Sequence, residues 1–149
     1  MTDTSSTTPR HSLPYLFAAQ AQKELFVNEA FARIDAALHP AIMKELPAPP
    51  AAPADGESYL VATGAGAEWA GHDGQIATFV AGGWQFAAPA AGLSVWERSR
   101  DAWAVWNGSN WLRASAPVAP EGGSIIDTQA RAAIAELQDK LRMLGVFST

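Results

Sequence analysis

All six tryptophans of this chain, at positions 69, 84, 96, 103, 106 and 111, fall between Ala67 and Arg113. They sit among short alternating runs broken by glycine-bearing turns. A period of two is the signature of half-buried strands, and runs this short leave no room for a long helix. Residues 75–80 (QIATFV) read as a strand, Gly82-Gly83 as a hairpin turn, and residues 84–88 (WQFAA) as the return strand. Residues 93–97 (LSVWE) and 102–106 (AWAVW) make a second hairpin around a turn at 98–101. Asn107-Gly108 is the strongest turn dipeptide in the chain and leads into residues 110–114. An earlier strand, residues 57–62 (ESYLVA), places Tyr59 and Val61 on one face. An apolar strand, a glycine turn, a tryptophan and a short return strand occur at 79–86 and again at 105–112. The pattern predicts a compact antiparallel sheet or small barrel over residues 47–114.

The flanks are helical. Residues 1–12 are rich in Thr and Ser and are expected to form a disordered tail. Residues 13–46 form an N-terminal helical region in two pieces. Pro14 suits a first turn, residues 17–25 are good helix formers, and Phe26-Val27 interrupts them. Asn28 then reads as an N-cap, with Glu29 in the positive first turn. In that second helix Phe31, Ile34 and Leu38 define one apolar face, and Pro40 ends the pattern. Residues 41–46 are a candidate short strand. Residues 47–53 (PAPPAAP) form a stiff extended connector, either a plain linker or a segment packed along the β-module.

After a flexible joint at 115–124, residues 125–149 hold the clearest helix. Asp127 caps it, Ile126 precedes the cap, and Gly145 stands where a left-handed closing residue belongs. Ala130, Ile134, Leu137, Leu141 and Leu144 recur at alternating steps of four and three, a short heptad seam. Asp127–Arg131 and Glu136–Lys140 are favourable i, i+4 pairs. The seam serves either to dock on the β-module or to pack against copies of itself. Just over two heptads need help from the rest of the protomer, and self-association is the favoured expectation. The fold class expected is therefore α+β.

Composition removes several functions. The net charge is −5 with no basic cluster, which excludes a phosphate-tracking nucleic-acid binder. There is no cysteine, so no disulfide or thiolate metal site. The N-terminal stretch lacks a signal-peptide profile and no apolar run reaches spanning length, so a soluble, cytosolically made chain without membrane insertion is expected. His11, His39 and His72 have no partners at metal-ligand spacing, beyond Asp73 next to His72. No nucleophile elbow or phosphate-cradling loop is present, and Glu68, Asp73, Glu97 and Asp101 have no spacing that recommends them as a catalytic pair. No enzyme activity, metal or cofactor is expected.

The tryptophans carry the remaining functional choice. Large aromatics fill a small β-core, and Trp84, Phe86, Trp103, Val105 and Phe79 are expected there for the most part. Strand alternation puts Trp103 and Trp106 on opposite faces, so both cannot enter one core. The second face meets either a neighbouring subunit or a ligand. Exposed rings stack on sugars, which makes Trp96, Trp103, Trp106 and Trp111 a candidate glycan platform.

The segment Leu13-Pro14-Tyr15-Leu16, Gln20-Ala21-Gln22-Lys23-Glu24 and Asn28-Glu29-Ala30 with Asp35 resembles the opening of a family of uncharacterised proteins of tailed phages, prophages and gene-transfer agents of alphaproteobacteria. The likeness continues through Pro49-Pro50-Ala51-Ala52-Pro53, Gly56-Glu57-Ser58-Tyr59-Leu60-Val61 and Trp69-Ala70-Gly71-His72-Asp73-Gly74-Gln75-Ile76-Ala77. It ends with Gly83-Trp84 and Trp106-Asn107-Gly108, and so covers residues 13 to about 115. The resemblance implies a virion fibre or spike component, commonly trimeric, that supports host attachment and has no assigned catalytic residues. Its partners would be further copies of the chain (a homotrimer), other tail, head or fibre proteins, and a host surface glycan. Gln20, Gln22, Lys23, Asn28 and Glu29 are then the candidate docking residues on the N-terminal helices. Ile134, Leu137, Leu141 and Leu144 are those on the C-terminal helix.

Overall fold

The computed structural model describes residues 6–17, 23–123, 125 and 127–148. The chain is α+β and divides into two compact units, Met1–Pro89 and Ala90–Thr149.

The first unit contains α1 (Lys23–Leu38), β1 (Ala41–Ile42), β2 (Glu45–Leu46), β3 (Ser58–Val61), a 3-10 turn (Ala67–Trp69), β4 (Ile76–Val80) and β5 (Gly83–Ala87). Its sheet runs in the order β2-β3-β4-β5. β3, β4 and β5 are antiparallel neighbours, as the hairpin signals predict. β2, however, joins β3 in parallel, with Glu45 opposite Leu60 and Leu46 opposite Val61. A parallel neighbour needs a connection long enough to carry the chain back. The proline-rich residues 47–57 supply that length, so the sheet is mixed where a purely antiparallel one was expected.

The β4–β5 turn is also displaced from its expected place. Ala81 and Gly82 both have positive φ, at 52° and 80°, and Gly83 already pairs with Val80. Two consecutive left-handed residues are what a two-residue hairpin of matching twist demands. Ala81 is held there by its N–H, which donates to Asp55 Oδ1 at 2.7 Å.

Tyr59, Val61, Ala65, Trp69 and Ala77 form a buried cluster, with Met43, Leu46, Trp84 and Phe86 packed against it. Trp69 is at its centre, fully buried on the 3-10 turn. The Trp69 ring meets Trp84 edge-on at 5.0 Å, an arrangement that aligns the positive ring edge with the negative face. Trp84 and Phe86 therefore belong to a core as expected, while Trp103 and Val105 do not. They are 41% and 37% exposed.

The N-terminal region departs furthest from its sequence reading. Among the described residues it holds one helix, and α1 runs unbroken through Phe26 and Val27. Asn28 is not a cap: its side chain accepts from Leu16 N–H at 2.9 Å and donates to the Leu16 carbonyl at 3.0 Å. The amide thus pairs a backbone segment outside the helix with the helix itself. Residues 6–17 are not helical, and most of the helix expected at 17–25 ahead of Lys23 lies outside the described residues. Across a tight loop Thr8 N–H donates to the Leu13 carbonyl and Leu13 N–H donates to Thr8 Oγ1, and Thr7 bridges Pro14.

Residues 6–12, expected to be free, are anchored. Buried Asp35 accepts from Thr8 Oγ1 at 2.6 Å, from Arg10 N–H at 2.9 Å and from His11 N–H at 2.7 Å. The Arg10 guanidinium donates to the carbonyls of Ala36 and Ala41. The last turn of α1 has no basic residue of its own, so Arg10 supplies the cation that the negative helix end favours. Ile34 and Leu38, expected on the buried face, are 46% and 52% exposed; Ala32 and Asp35 take the inward positions instead.

The second unit contains β6 (Ser94–Glu97), β7 (Ala102–Trp106), β8 (Trp111–Arg113) and α2 (Thr128–Met143). The three strands form an antiparallel meander. The Asn107-Gly108 turn is present: Asn107 Oδ1 accepts from the N–H groups of Ser109 and Asn110, and Gly108 has φ +105°. α2 matches its prediction closely. Asp127 caps it through Ala130 N–H at 2.9 Å. Gly145, at φ +69°, closes it with two bonds, Gly145 N–H to Arg142 O and Val146 N–H to Leu141 O. That pair of bonds satisfies two of the orphan carbonyls of the last turn. Among the described residues no helix is long and apolar enough to cross a membrane.

Candidate functional site

Strand register sorts the four tryptophans of the candidate platform into two pairs. Trp96 lies opposite Trp103, with ring centroids 5.2 Å apart and nearly perpendicular. Trp106 lies opposite Trp111, with centroids 5.5 Å apart. Trp103 and Trp106 are three residues apart on β7, so the two pairs occupy opposite faces of the meander.

The face that carries Trp106 and Trp111 also carries Val95, Ala102, Ala104 and Glu97, all buried. Glu97 is a carboxylate with three side-chain donors around it. Arg113 Nε donates to one oxygen at 2.5 Å, and Arg100 Nε and Ser99 Oγ donate to the other at 3.2 Å. Buried charge is tolerated because it is paired and its lone pairs are used.

The other face holds Trp96, Trp103, Val105 and Leu112. Val105 pairs with Leu112 across the strands, and Leu112 is 53% exposed. Trp96 is not open to a planar ligand, because Gly145 lies against its ring. The chain after α2 continues alongside the strands: Trp103 N–H donates to Gly145 O at 2.8 Å, and Phe147 bridges Ala114. Of the four tryptophans, Trp103 presents the largest free aromatic surface. The exposed part of this face is an apolar strip of one indole and two aliphatic side chains, with Ser94 opposite Val105.

The candidate docking residues fall into three groups. Gln20 and Gln22 lie outside the described residues. Lys23 opens α1 and is exposed, and Glu29 pairs with Arg33 at 2.6 Å on the solvent side; such an exposed i, i+4 pair contributes little. Asn28 is committed to Leu16. On α2, Ile134 and Leu137 are 43% and 59% exposed and Leu141 is half-buried, and the C-cap Leu144 is 67% exposed.

Among the described residues no group of three His, Cys, Asp or Glu is placed to hold a metal ion. His72 stacks face to face on Phe86 at 3.6 Å, with Nδ1 3.3 Å from Gln75 Oε1. Asp73 accepts from the Gly64 and Ala65 N–H groups and so fixes the loop ahead of the 3-10 turn. A shallow groove of about 320 Å³ runs beside α1, lined by Arg33, Thr78, Gln85 and Phe86 among others. No pattern in the sequence announces it.

The sequence profile of the family described as "protein of unknown function (DUF2793)" matches residues 27–112. The chain belongs to this family. No curated protein matches it. The DUF2793 segment begins inside α1 and ends inside β8, so it takes in both tryptophan pairs, the Trp69 core and Asp35. α2 and the residues that cover Trp96 lie beyond it. Asp35 and Trp69 are positions that periodicity alone passes over, and the closing role of Gly145 is legible while its contact with Trp96 is not, because each acts through a residue far away in the chain.

Proposed function

We propose that this protein is a structural virion component, a fibre or spike protein of a phage or gene-transfer-agent particle that supports host attachment and assembles as a homotrimer. It is made in the bacterial cytoplasm, works without catalysis, and joins other tail, head or fibre proteins in the particle. The observation that carries this reading is the amount of large apolar side chain left exposed. Trp103, Val105 and Leu112 on the meander and Ile134, Leu137 and Leu144 on α2 are each more than a third exposed. Such surfaces in a small protein mark contact with other chains. The likeness of the opening residues and the Trp-Gly segments to virion proteins supports the same reading. Mass spectrometry of purified particles from a producing strain tests it: the chain should be present at fixed stoichiometry, and its absence from particles overturns the assignment.

A second reading, compatible with the first, is a carbohydrate-binding surface for host polysaccharide. Trp103 favours it, as the platform tryptophan with the most accessible ring. Tryptophan fluorescence titrated with host surface polysaccharide should respond in the native chain and fail to respond in Trp103→Ala. A folded native sample that gives no response removes this reading.

A further inference from the structure

α2 buries none of its sixteen residues. A free helix of this length is marginal in water, so its apolar stripe calls for a partner. In heptad terms Ile134 and Leu141 occupy a positions, and Ala130, Leu137 and Leu144 occupy d positions. The e flank faces the chain's own connector. Arg131 donates to the Gly122 carbonyl, and Gln138 Nε2 donates to Pro117 O at 2.9 Å. At a and d, Ala130, Ile134, Leu137 and Leu144 are exposed and Leu141 is half-buried, a stripe bordered by Ala133 and Lys140 at g.

We infer that α2 is where copies of this chain join, packed parallel and in register against α2 of the other copies. The inference rests on the proposed self-assembly and adds its geometry. A seam that repeats every 3.5 residues fits only a helix with the same repeat, because each side chain must enter a hole of four on its partner. Orientation is set by what each arrangement brings together. In a parallel, in-register bundle each layer meets its own counterpart, and the flanking g-to-e neighbours are Ala133 with Gln138 and Lys140 with Gly145. The one like-charge layer is Asp127 against its own counterpart, at the N-terminal end of the helix. In an antiparallel pair all four large layers engage only when Ile134 faces Leu144 and Leu137 faces Leu141. That register sets Lys140 against the same lysine of the partner. Sliding by one heptad separates the lysines but places Asp127 against Leu144, an acid against the apolar seam. Each arrangement thus carries one charge penalty, and the position of the meanders separates them.

Two heptads alone make a weak bundle. Gly145 fastens the end of α2 to Trp96 and Trp103, so parallel packing gathers the meanders of the copies at that end of the bundle. There Trp103, Val105 and Leu112 add the apolar area that the short seam lacks.

The chain contains no cysteine, which makes a single-cysteine test clean. Full-length Ala130→Cys should form covalent dimers on mild oxidation, because position 130 meets itself only in a parallel bundle. Native mass spectrometry at micromolar concentration should show an oligomer for the unmodified chain and a monomer for Leu137→Glu. Leu137 is exposed, so unchanged circular dichroism should confirm that this variant stays folded. An oligomer that survives Leu137→Glu overturns the seam but leaves self-assembly standing. A seam-dependent oligomer in which Ala130→Cys does not cross-link overturns the parallel arrangement. A monomeric native chain overturns the inference altogether, and its presence or absence in particles decides the virion reading separately.

Discussion

Gly145 lies flat against the indole of Trp96, so close that a Cβ at position 145 would overlap the ring. Two requirements meet at this residue. Its φ of +69° belongs to the left-handed region that closes α2, and its missing side chain lets the chain pass over Trp96. Gly145→Ala violates both at once. The expected loss is about 3 kcal/mol, combining a left-handed alanine with overpacking of a rigid ring. Gly108→Ala is the control. Its φ is also positive, but the nearest side-chain atom is Ala91 Cβ at 3.7 Å, so only the backbone penalty of about 1–2 kcal/mol applies. Urea denaturation of the two variants should separate them, and only Gly145→Ala should shift the tryptophan emission to the red.

Asp35 makes a second long-range tie. One buried carboxylate holds Thr8, Arg10 and His11, and thereby brings the Arg10 guanidinium to the C-terminal end of α1. Hydrogen bonds to a charged acceptor are stronger than neutral ones, and their loss strands buried donors. Asp35→Ala should therefore cost about 3 kcal/mol. Its signature is local as well as global: amide exchange at Arg10 and His11 should accelerate far more than exchange in β3 and β4. Equal acceleration everywhere would mean that Asp35 supports only the global fold.

These two residues show where sequence reading succeeds and where it stops. α2 was legible from its cap, its heptad and its closing glycine because all three signals are local. The hairpins were legible for the same reason. Asp35 reads as one more polar helix position, since its donors sit 24 to 27 residues earlier in the chain. Trp69 stands on a 3-10 turn outside any periodic run, so nothing marks it as the centre of a core. Alternation correctly separates Trp103 from Trp106, but not which face stays open, because Trp96 is covered by residue 145. The parallel β2 depends on how residues 47–57 are routed. Proline content shows that they are extended without showing where they lead.

Tyr59 supplies a pH prediction. Its hydroxyl donates to Glu57 Oε2 at 2.6 Å, and burial, that hydrogen bond and the neighbouring negative charge push its pKa from 10.0 up to about 12. The folded chain holds this proton more tightly than the unfolded chain. The stabilisation is fully present below pH 10 and is lost as pH rises from 10 through about 12. Urea midpoints should therefore fall across that window. Tyr59→Phe should flatten the fall, even if the variant is less stable at neutral pH. A native-like slope in Tyr59→Phe would assign the effect to other groups.

Glu97 and Arg113 make the sharpest test of how the meander is held together. The Glu97 side chain is 3% exposed and the Arg113 side chain 21%, whereas that of Arg100 is 52% exposed. Arg100→Ala should cost no more than about 0.5 kcal/mol, since an exposed partner is screened and mobile. Arg113→Met is different: it leaves a buried carboxylate without its closest cation and should cost about 3–5 kcal/mol. If that cost comes from the stranded charge, it disappears when the charge is removed as well. The double variant Glu97→Leu with Arg113→Met should then recover most of the loss and lie within about 1 kcal/mol of the native chain. Thermal denaturation of the single and double variants measures the coupling directly. Additive losses would show that the two side chains act through separate packing contacts and not as a pair.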